Sequence, residues 1–220
     1  RFVQVLMLVM GDMPLGKRHY WPIYAAAERL GLPIGIHAGS AYHNPPSSVG
    51  WGSYHIEDYV AQAQAFQTQL TSLIVEGVFA RHPKLKMVML ESGFTWLPPF
   101  LWRLHKFWRG VRMETPWVDR PPLEIVRSNI RFSLQPVDAP PEPETLNRLF
   151  DHMQSDELLL FSSDYPHWQF DGDEVLPPGL SPDLVRKIII DNPHATYPRL
   201  KVAHDTEKRP PVFGQDHAQN

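Results

Sequence analysis

The sequence predicts an α/β protein built on a parallel sheet with helical crossovers. Segments of strand character alternate strictly with segments of helix character, five times along the chain. The strand segments are continuous apolar runs, which are typical of strands buried on both faces of a parallel sheet. Strict alternation of the two kinds of segment is itself typical of parallel sheets with helical connections.

Composition limits the classes of protein that fit. The chain has 220 residues, of which 43% are hydrophobic and 20% charged, as in an ordinary globular protein with a substantial core. A net charge of −3 offers no basic surface for nucleic acid or anionic membranes, so we expect neither as a partner. The absence of cysteine excludes disulfides and thiolate metal ligands.

Targeting signals are also missing from the sequence. No apolar run approaches the ~18 residues that a membrane span needs, and no signal peptide is visible, so a cytoplasmic location is the default expectation. The chain begins at Arg1, without methionine, directly on an apolar run. We therefore expect this chain to be the carboxyl part of a longer protein.

In the first half of the chain, residues 2–9 are apolar and β-branched and predict a strand. Residues 20–30 have apolar side chains at helical spacing, and Gly31 suits the position just after a helix end. Residues 33–37 predict the second strand. The connection over residues 41–53 is rich in Pro, Ser, Gly and aromatic residues, and loops of this length are usually functional or disordered.

The second half continues the alternation. Asn192 and Pro193 are predicted as the cap and first residue of the last helix. Residues 1–202 are predicted as one domain and residues 203–220 as a polar tail. The predicted helices are 54–79, 95 or 96–109, 121–127, 140–153, 180–190 and 193–200, and the predicted strands are 85–90, 130–134 and 158–161.

Three predicted strands end in a residue of catalytic type: His37, Glu91 and Asp164. The carboxyl ends of parallel strands lie on one face, where α/β folds place their chemistry, so these side chains are expected to converge. His and Asp suit a borderline divalent ion such as zinc, and Glu can ligate or move protons. Each residue also has a structural interpretation, as a core histidine, a brace to loop amides or a turn cap.

Other residues are candidates for substrate contact. His43, Trp51 and His55 belong to or follow the long loop, and His167 follows Asp164 by three residues. Exposed loop histidines and packed aromatic residues are common, so ordinary surface or packing roles remain open for all four. No Gly-x-Gly-x-x-Gly or phosphate-loop pattern is present, which argues against nucleotide binding.

Several stretches, taken together and in order, resemble the amidohydrolase-2 family, the metal-dependent hydrolases and decarboxylases related to aminocarboxymuconate semialdehyde decarboxylase. The resemblance extends over most of the chain, from about Phe2 to Leu200. The stretches are Pro14-Leu15, 21–28 (WPIYAAAE), 31–39 (GLPIGIHAG), 77–86 (GVFARHPKLK), 162–166 (SSDYP) and 191–197 (DNPHATY).

This resemblance implies a distorted (β/α)8 TIM barrel with one divalent metal ion, usually zinc, in which the five strands are barrel strands four to eight. His37 matches the metal-binding histidine after the fifth strand. Asp164 matches the aspartate after the eighth, which binds metal and helps to activate its water. The sequence departs from the family at two places: the paired His-x-His after the first strand is absent, and Glu91-Ser92-Gly93 stands where decarboxylase-like members have a histidine followed by glycines.

The sequence therefore predicts a metal-dependent hydrolase or non-oxidative decarboxylase that acts on a small acid or amide and forms a homo-oligomer. In this prediction Asp164 takes a proton from water, Glu91 assists and His37 holds zinc. Two alternatives remain open. One is a non-catalytic, self-associating module without a full metal site, and the other is a complete open, doubly wound sheet without metal.

Overall fold

Five parallel strands form one sheet in this computed structural model, which describes residues 2–168, 170, 172 and 175–200. Every neighbouring pair is parallel, and the order across the sheet is the order along the chain. The strands are β1 (Val5–Met10), β2 (Ile34–Ser40), β3 (Met87–Leu90), β4 (Ile130–Ser133) and β5 (Leu159–Leu160).

The sequential strand order distinguishes between the predicted architectures. A doubly wound sheet reverses its strand order at a switch point, whereas the strands of a barrel follow one another around the axis. The described strands show no reversal. The α/β class with a parallel sheet is thus confirmed, and the doubly wound alternative is wrong.

Helices connect successive strands and cover the sheet. Short 3-10 turns precede α1 and follow α4, at Arg18–Tyr20 and Arg112–Glu114. The helices are α1 (Trp21–Leu30), α2 (His55–Val75), α3 (Val78–Arg81), α4 (Leu97–Val111), α5 (Pro122–Asn129), α6 (Pro143–Met153), α7 (Pro182–Arg186) and α8 (Asn192–Thr196), with a π-helical segment at Lys187–Asp191.

Helix α2 supplies much of the core and also fixes the loop after β1. The Gln69 side chain is buried; its Oε1 accepts from the Leu15 N–H at 2.7 Å and its Nε2 donates to the Val9 carbonyl at 2.6 Å. Because both backbone groups are satisfied by one side chain, the helix is fixed relative to the end of β1. Its fully buried apolar residues are Phe66, Leu70 and Leu73.

The long helix predicted for residues 54–79 is wrong at its end. Helix α2 stops at Val75, because Gly77 has φ +81°, a left-handed conformation that interrupts the helix before α3 begins. Its start agrees with the prediction. The Glu57 carboxylate accepts from the backbone N–H groups of Ser53 and Tyr54, at 2.7 and 2.8 Å, and so caps the first turn.

Two features near the chain's end also differ from the prediction. Strand β5 is shorter than predicted, because the Phe161 N–H leaves the sheet and donates to the Ile188 carbonyl in the π-helical segment, at 3.0 Å. Asn192 is not a helix cap. Its buried amide donates instead to the carbonyls of Asp156 and Leu159, at 2.9 and 3.0 Å, and ties α8 to the start of β5.

Strand β1 was predicted to be buried, whereas two of its apolar side chains are exposed in the described sheet. It is an edge strand, and Leu6 and Leu8 are 59% and 41% exposed. Among the described helices, none is long and apolar enough to cross a membrane. The predicted tail, residues 203–220, lies outside the described residues.

Candidate active site at the carboxyl ends of the strands

The strand ends bring His37 and Glu91 into direct contact. His37 lies in β2 and is paired across the sheet with Leu90, the residue before Glu91. The His37 Nε2 atom is 2.8 Å from Glu91 Oε1. Glu91 has φ +58°, an unusual value for a residue other than glycine, and this sharp departure from the strand turns its carboxylate towards His37.

The contact constrains where the protons are. His37 Nδ1 lies 2.6 Å from the Ala38 carbonyl, which can only accept, so Nδ1 carries a hydrogen. Nε2 and Glu91 Oε1 therefore share one further proton, held either by the carboxyl group or by an imidazolium. Burial raises the pKa of Glu91, with the nearby Asp164 acting in the same direction and His37 and His167 opposing it.

Asp164 follows the end of β5 by four residues and has a similar conformation, with φ +57°. Its Oδ2 lies 3.1 Å from His167 Nδ1, but without the geometry of a hydrogen bond. Within the described residues this oxygen is buried and has no hydrogen-bond partner. The turn is closed by the backbone, because the His167 N–H donates to the Asp164 carbonyl at 2.8 Å. A buried carboxylate oxygen without a donor is costly, and it marks Asp164 as a candidate ligand or base.

A cavity of about 640 Å³ opens over these strand ends. Helix α2 forms one wall, and the end of β2 together with the loops after β3, β4 and β5 forms the rest. No lysine or arginine is among its described lining residues. The titratable or hydrogen-bonding side chains that line it are His37, Asp58, Tyr59, Gln62, Glu91, Ser92, Asp138 and His167.

Four residues were predicted to contact substrate, and the structure places them differently. His167 lines the cavity. His43 lies on the exposed loop, where its Nδ1 contacts the Asp12 carboxylate, and Trp51 and His55 are exposed nearby. These last three are not among the described lining residues, so their contact with substrate stays a prediction.

Sequence reasoning missed the contribution of α2 and of the loop after β4. Asp58, Tyr59 and Gln62 lie at helical spacing on one face of α2, a signal that was available but is common on any helix. Asp138 follows the end of β4 by five residues, and only the path of the loop brings it to the cavity.

The metal ion implied by the family resemblance can be compared with these groups. His37 Nε2 and the partnerless Asp164 Oδ2 are donors of the type that a borderline divalent ion takes. However, the described residues contain no group of three His, Asp or Glu side chains arranged to hold an ion. His37 and Asp164 therefore have the donor atoms that a metal site needs, but they supply only part of a full set of ligands.

A sequential run of parallel strands with acidic and imidazole groups at their carboxyl ends is the arrangement of (β/α)-barrel enzymes. The family model for amidohydrolases matches residues 1–199. This chain therefore belongs to the amidohydrolase family. No functionally curated protein shows a significant match.

Solved structures agree on the fold. An amidohydrolase from Mycobacterium avium subsp. paratuberculosis is 27% identical, with a TM-score of 0.68, over 88% of this chain and 51% of its own. A 2,6-dihydroxybenzoate decarboxylase from Rhizobium is 20% identical, with a TM-score of 0.68, over 90% of this chain and 62% of its own. A dihydroxybenzoic acid decarboxylase from Polaromonas, with bound manganese and the inhibitor 2-nitroresorcinol, is 19% identical, with a TM-score of 0.64, over 90% and 61%. The chain thus spans between half and two thirds of the length of these structures.

Proposed function

We propose that this chain supplies the carboxyl-end part of the active site of a metal-dependent hydrolase or non-oxidative decarboxylase that acts on a small acid or amide. The observation that carries the proposal is the His37–Glu91 contact of 2.8 Å, which faces a cavity of about 640 Å³ large enough for such a substrate. Membership of the amidohydrolase family and the likeness to decarboxylase structures support it.

In the proposed site His37 and Asp164 are metal ligands, and the remaining ligands come from outside the described residues. A divalent ion bound there would polarise a substrate carbonyl and make a bound water more acidic. Zinc is the ion that the resemblance implies, and manganese is present in the Polaromonas decarboxylase. Occupation of His37 Nε2 by a metal ion requires that the shared proton reside on Glu91 or leave.

The chain's own residues then perform the proton transfers. Asp164 would bind the ion through Oδ2, which has no hydrogen-bond partner in the described residues, and would accept a proton from the attacking water through its other carboxylate oxygen. Glu91 has a raised pKa because it is buried, and a carboxyl group of this kind can hold a proton and return it to a leaving group. Since no described lining residue is Lys or Arg, a substrate carboxylate would depend on the metal ion or on residues outside the described part.

Metal content of the purified full-length protein, measured by mass spectrometry together with its intact mass, tests this proposal. We expect about one divalent ion per chain, since His37 and Asp164 are donors for a single ion. H37A and D164A should each lose the ion, whereas H152A, on the remote helix α6, should retain it. A metal-free wild-type protein, refolded with zinc or manganese and still empty, would contradict the proposal.

A second candidate, supported by the edge strand β1, is a non-catalytic module that self-associates. Leu6 and Leu8 are exposed on a strand that has one edge unpaired among the described strands, a combination that favours pairing with another chain. Light scattering after size-exclusion chromatography would show oligomers of the wild type that L6E dissociates. L30E, at an apolar residue that is exposed on α1, is the matched control. A monomeric wild type would exclude this candidate and the predicted homo-oligomer alike.

A further inference from the structure

The loop after β4 is held in place from both sides and carries an acidic residue to the cavity rim. The Gln135 N–H donates to Ser162 Oγ at 2.9 Å, which links the loop to the end of β5. The buried Gln135 side chain donates to the Val175 carbonyl at 2.9 Å and accepts from the Val137 N–H at 3.2 Å. Asp138 therefore directly follows a segment that is fixed by hydrogen bonds, so the position of its carboxylate is fixed as well.

The Asp138 carboxylate binds the turn that follows β3. Its Oδ1 accepts from the Phe94 N–H at 3.2 Å, and its Oδ2 accepts from Thr95 Oγ1 at 2.9 Å. The same carboxylate packs against Gly93, where a Cβ atom would lie 2.3 Å from Asp138 Oδ2. Gly93 has φ +63°, so both its conformation and its lack of a side chain are required for this approach.

The turn held by Asp138 is the one that begins with Glu91. Glu91 itself is in a left-handed conformation, which is unfavourable for a residue with a Cβ and persists only when its surroundings impose it. Its N–H donates to Ser133 Oγ at 2.9 Å, so β4 holds the turn at one end and Asp138 holds it three residues later. Between the two contacts the Glu91 carboxylate is directed to His37.

From this arrangement we infer that Asp138 is a positioning residue for Glu91, acting through the Gly93–Thr95 turn rather than on the substrate. The inference rests on the proposed function, because it assigns to Glu91 a role that needs an accurate position. It also connects the ends of β5, β4 and β3, since the hydrogen bonds run from Ser162 through Gln135 and the loop to Asp138.

Two substitutions in the full-length protein separate positioning from other roles. D138A removes both acceptors, whereas D138N keeps the oxygen that faces the Phe94 N–H. We expect D138A to shift the amide NMR signals of Glu91 and Phe94 and to lower kcat by about 10- to 100-fold with little change in KM, because a small misplacement of a reacting group has effects of this size. D138N should keep the Glu91 and Phe94 amide signals close to those of the wild type and should retain most of the wild-type kcat. D151A, at an exposed carboxylate on α6, is the matched control and should change neither.

Each contrary result has a definite meaning. Unchanged Glu91 and Phe94 signals in D138A would overturn the inference, whatever happens to the rate. A loss of kcat that D138N does not restore would show that the negative charge acts on the substrate, which also overturns it. If the wild type turns over no hydrolase or decarboxylase substrate, the proposed function fails, but the NMR comparison of D138A with D138N still decides whether Asp138 positions Glu91.

Discussion

At the scale of single residues, the proposed site consists of two carboxylates and one imidazole near the carboxyl ends of the strands. Glu91, directly after β3, and Asp164, four residues after β5, both adopt left-handed backbone conformations, and such strain clusters at functional sites. The His37 Nδ1 contact with the Ala38 carbonyl leaves Nε2 as the group that faces the cavity. These features bear on two predictions about Asp164 and Glu91.

D164N should abolish turnover of the intact enzyme while leaving the fold. The amide is a poor base and a weaker ligand than a carboxylate, so we expect a loss of kcat of about 100-fold or more. Circular dichroism and the unfolding temperature should stay close to wild type. D151N, which removes the same charge from an exposed residue on α6, is the control and should keep wild-type activity. Retention of most activity by D164N would contradict the assignment of Asp164.

E91Q should change the pH dependence of stability in a defined direction. Burial raises the pKa of Glu91 in the folded protein above its ordinary value of 4.5, so the charged form destabilises the fold. The stability associated with the protonated carboxyl is present below pH 4.5 and is lost as the pH rises through the raised pKa. Relative to wild type, E91Q should therefore be more stable at pH 7 than at pH 4.

Urea unfolding at the two pH values measures this difference. E144Q, at an exposed residue on α6, should show no such change between pH 4 and pH 7. An E91Q variant whose stability relative to wild type falls between pH 4 and pH 7 would mean that attraction to His37 outweighs the burial of the carboxylate.

At the scale of elements, the ends of helices and strands are decided by side chains from elsewhere in the chain. Helix α2 ends where Trp117 covers it: the indole Nε1 donates to the Val75 carbonyl at 2.7 Å and the ring packs on Gly77. Strand β5 ends where the π-helical segment takes over its hydrogen bonding. Local sequence periodicity contains no information about such partners, which explains the wrong bounds.

G77A should destabilise the protein by about 2 kcal/mol, because a side chain strains the left-handed conformation and clashes with its neighbour. The added Cβ would lie 2.4 Å from Trp117 Cδ1, and the φ of Gly77 is +81°. G110A is the matched control, since Gly110 lies within α4 with no neighbour near its Cβ position. Thermal unfolding should show G110A to be stabilised by about 0.5–1 kcal/mol. A neutral G77A would contradict this account of the end of α2.

At the scale of the whole molecule, packing couples segments that are distant in sequence. The buried Tyr24 hydroxyl donates to the Leu15 carbonyl at 2.5 Å, and the Tyr197 hydroxyl donates to Gln4 Oε1 at 2.8 Å, across 193 residues. Burial raises the pKa of Tyr197 to about 12 and that of Tyr24 further still. The intact fold therefore keeps both phenols protonated when exposed tyrosines are ionised.

The protein should consequently lose stability steeply above pH 10. A folded-state pKa above the unfolded value gives stability that is complete below pH 10 and is lost as the pH rises towards the folded pKa. Y24F should cost about 1 kcal/mol near neutrality, from the lost hydrogen bond, but should lose less stability than wild type between pH 10 and pH 12. Y54F, at an exposed tyrosine, is the control. If wild type and Y24F lost the same amount of stability between pH 10 and pH 12, this role of Tyr24 would be contradicted.

Part of this molecule was determined by local sequence alone. Alternating apolar runs and helical patterns were sufficient for the α/β class and the parallel sheet, because burial on both faces imposes a continuous apolar strand. The same patterns placed His37, Glu91 and Asp164 near the carboxyl ends of strands, although β2 continues for three residues beyond His37 and Asp164 follows the end of β5 by four residues. Gly31, with φ +61°, ends α1 as its sequence context predicted.

Only the tertiary structure decided the sequential strand order, the exposure of β1 and the assembly of the cavity. Strand order depends on which strands pair, and the exposure of Leu6 and Leu8 depends on what covers an edge; neither is a property of a local segment. The 2.8 Å contact between His37 and Glu91, and the part of Asp138 in holding the turn, arise from loops that meet across the sheet. The physical reason is the same throughout: residue type and periodicity act over a few neighbouring residues, whereas these contacts join side chains about 40 to 190 residues apart.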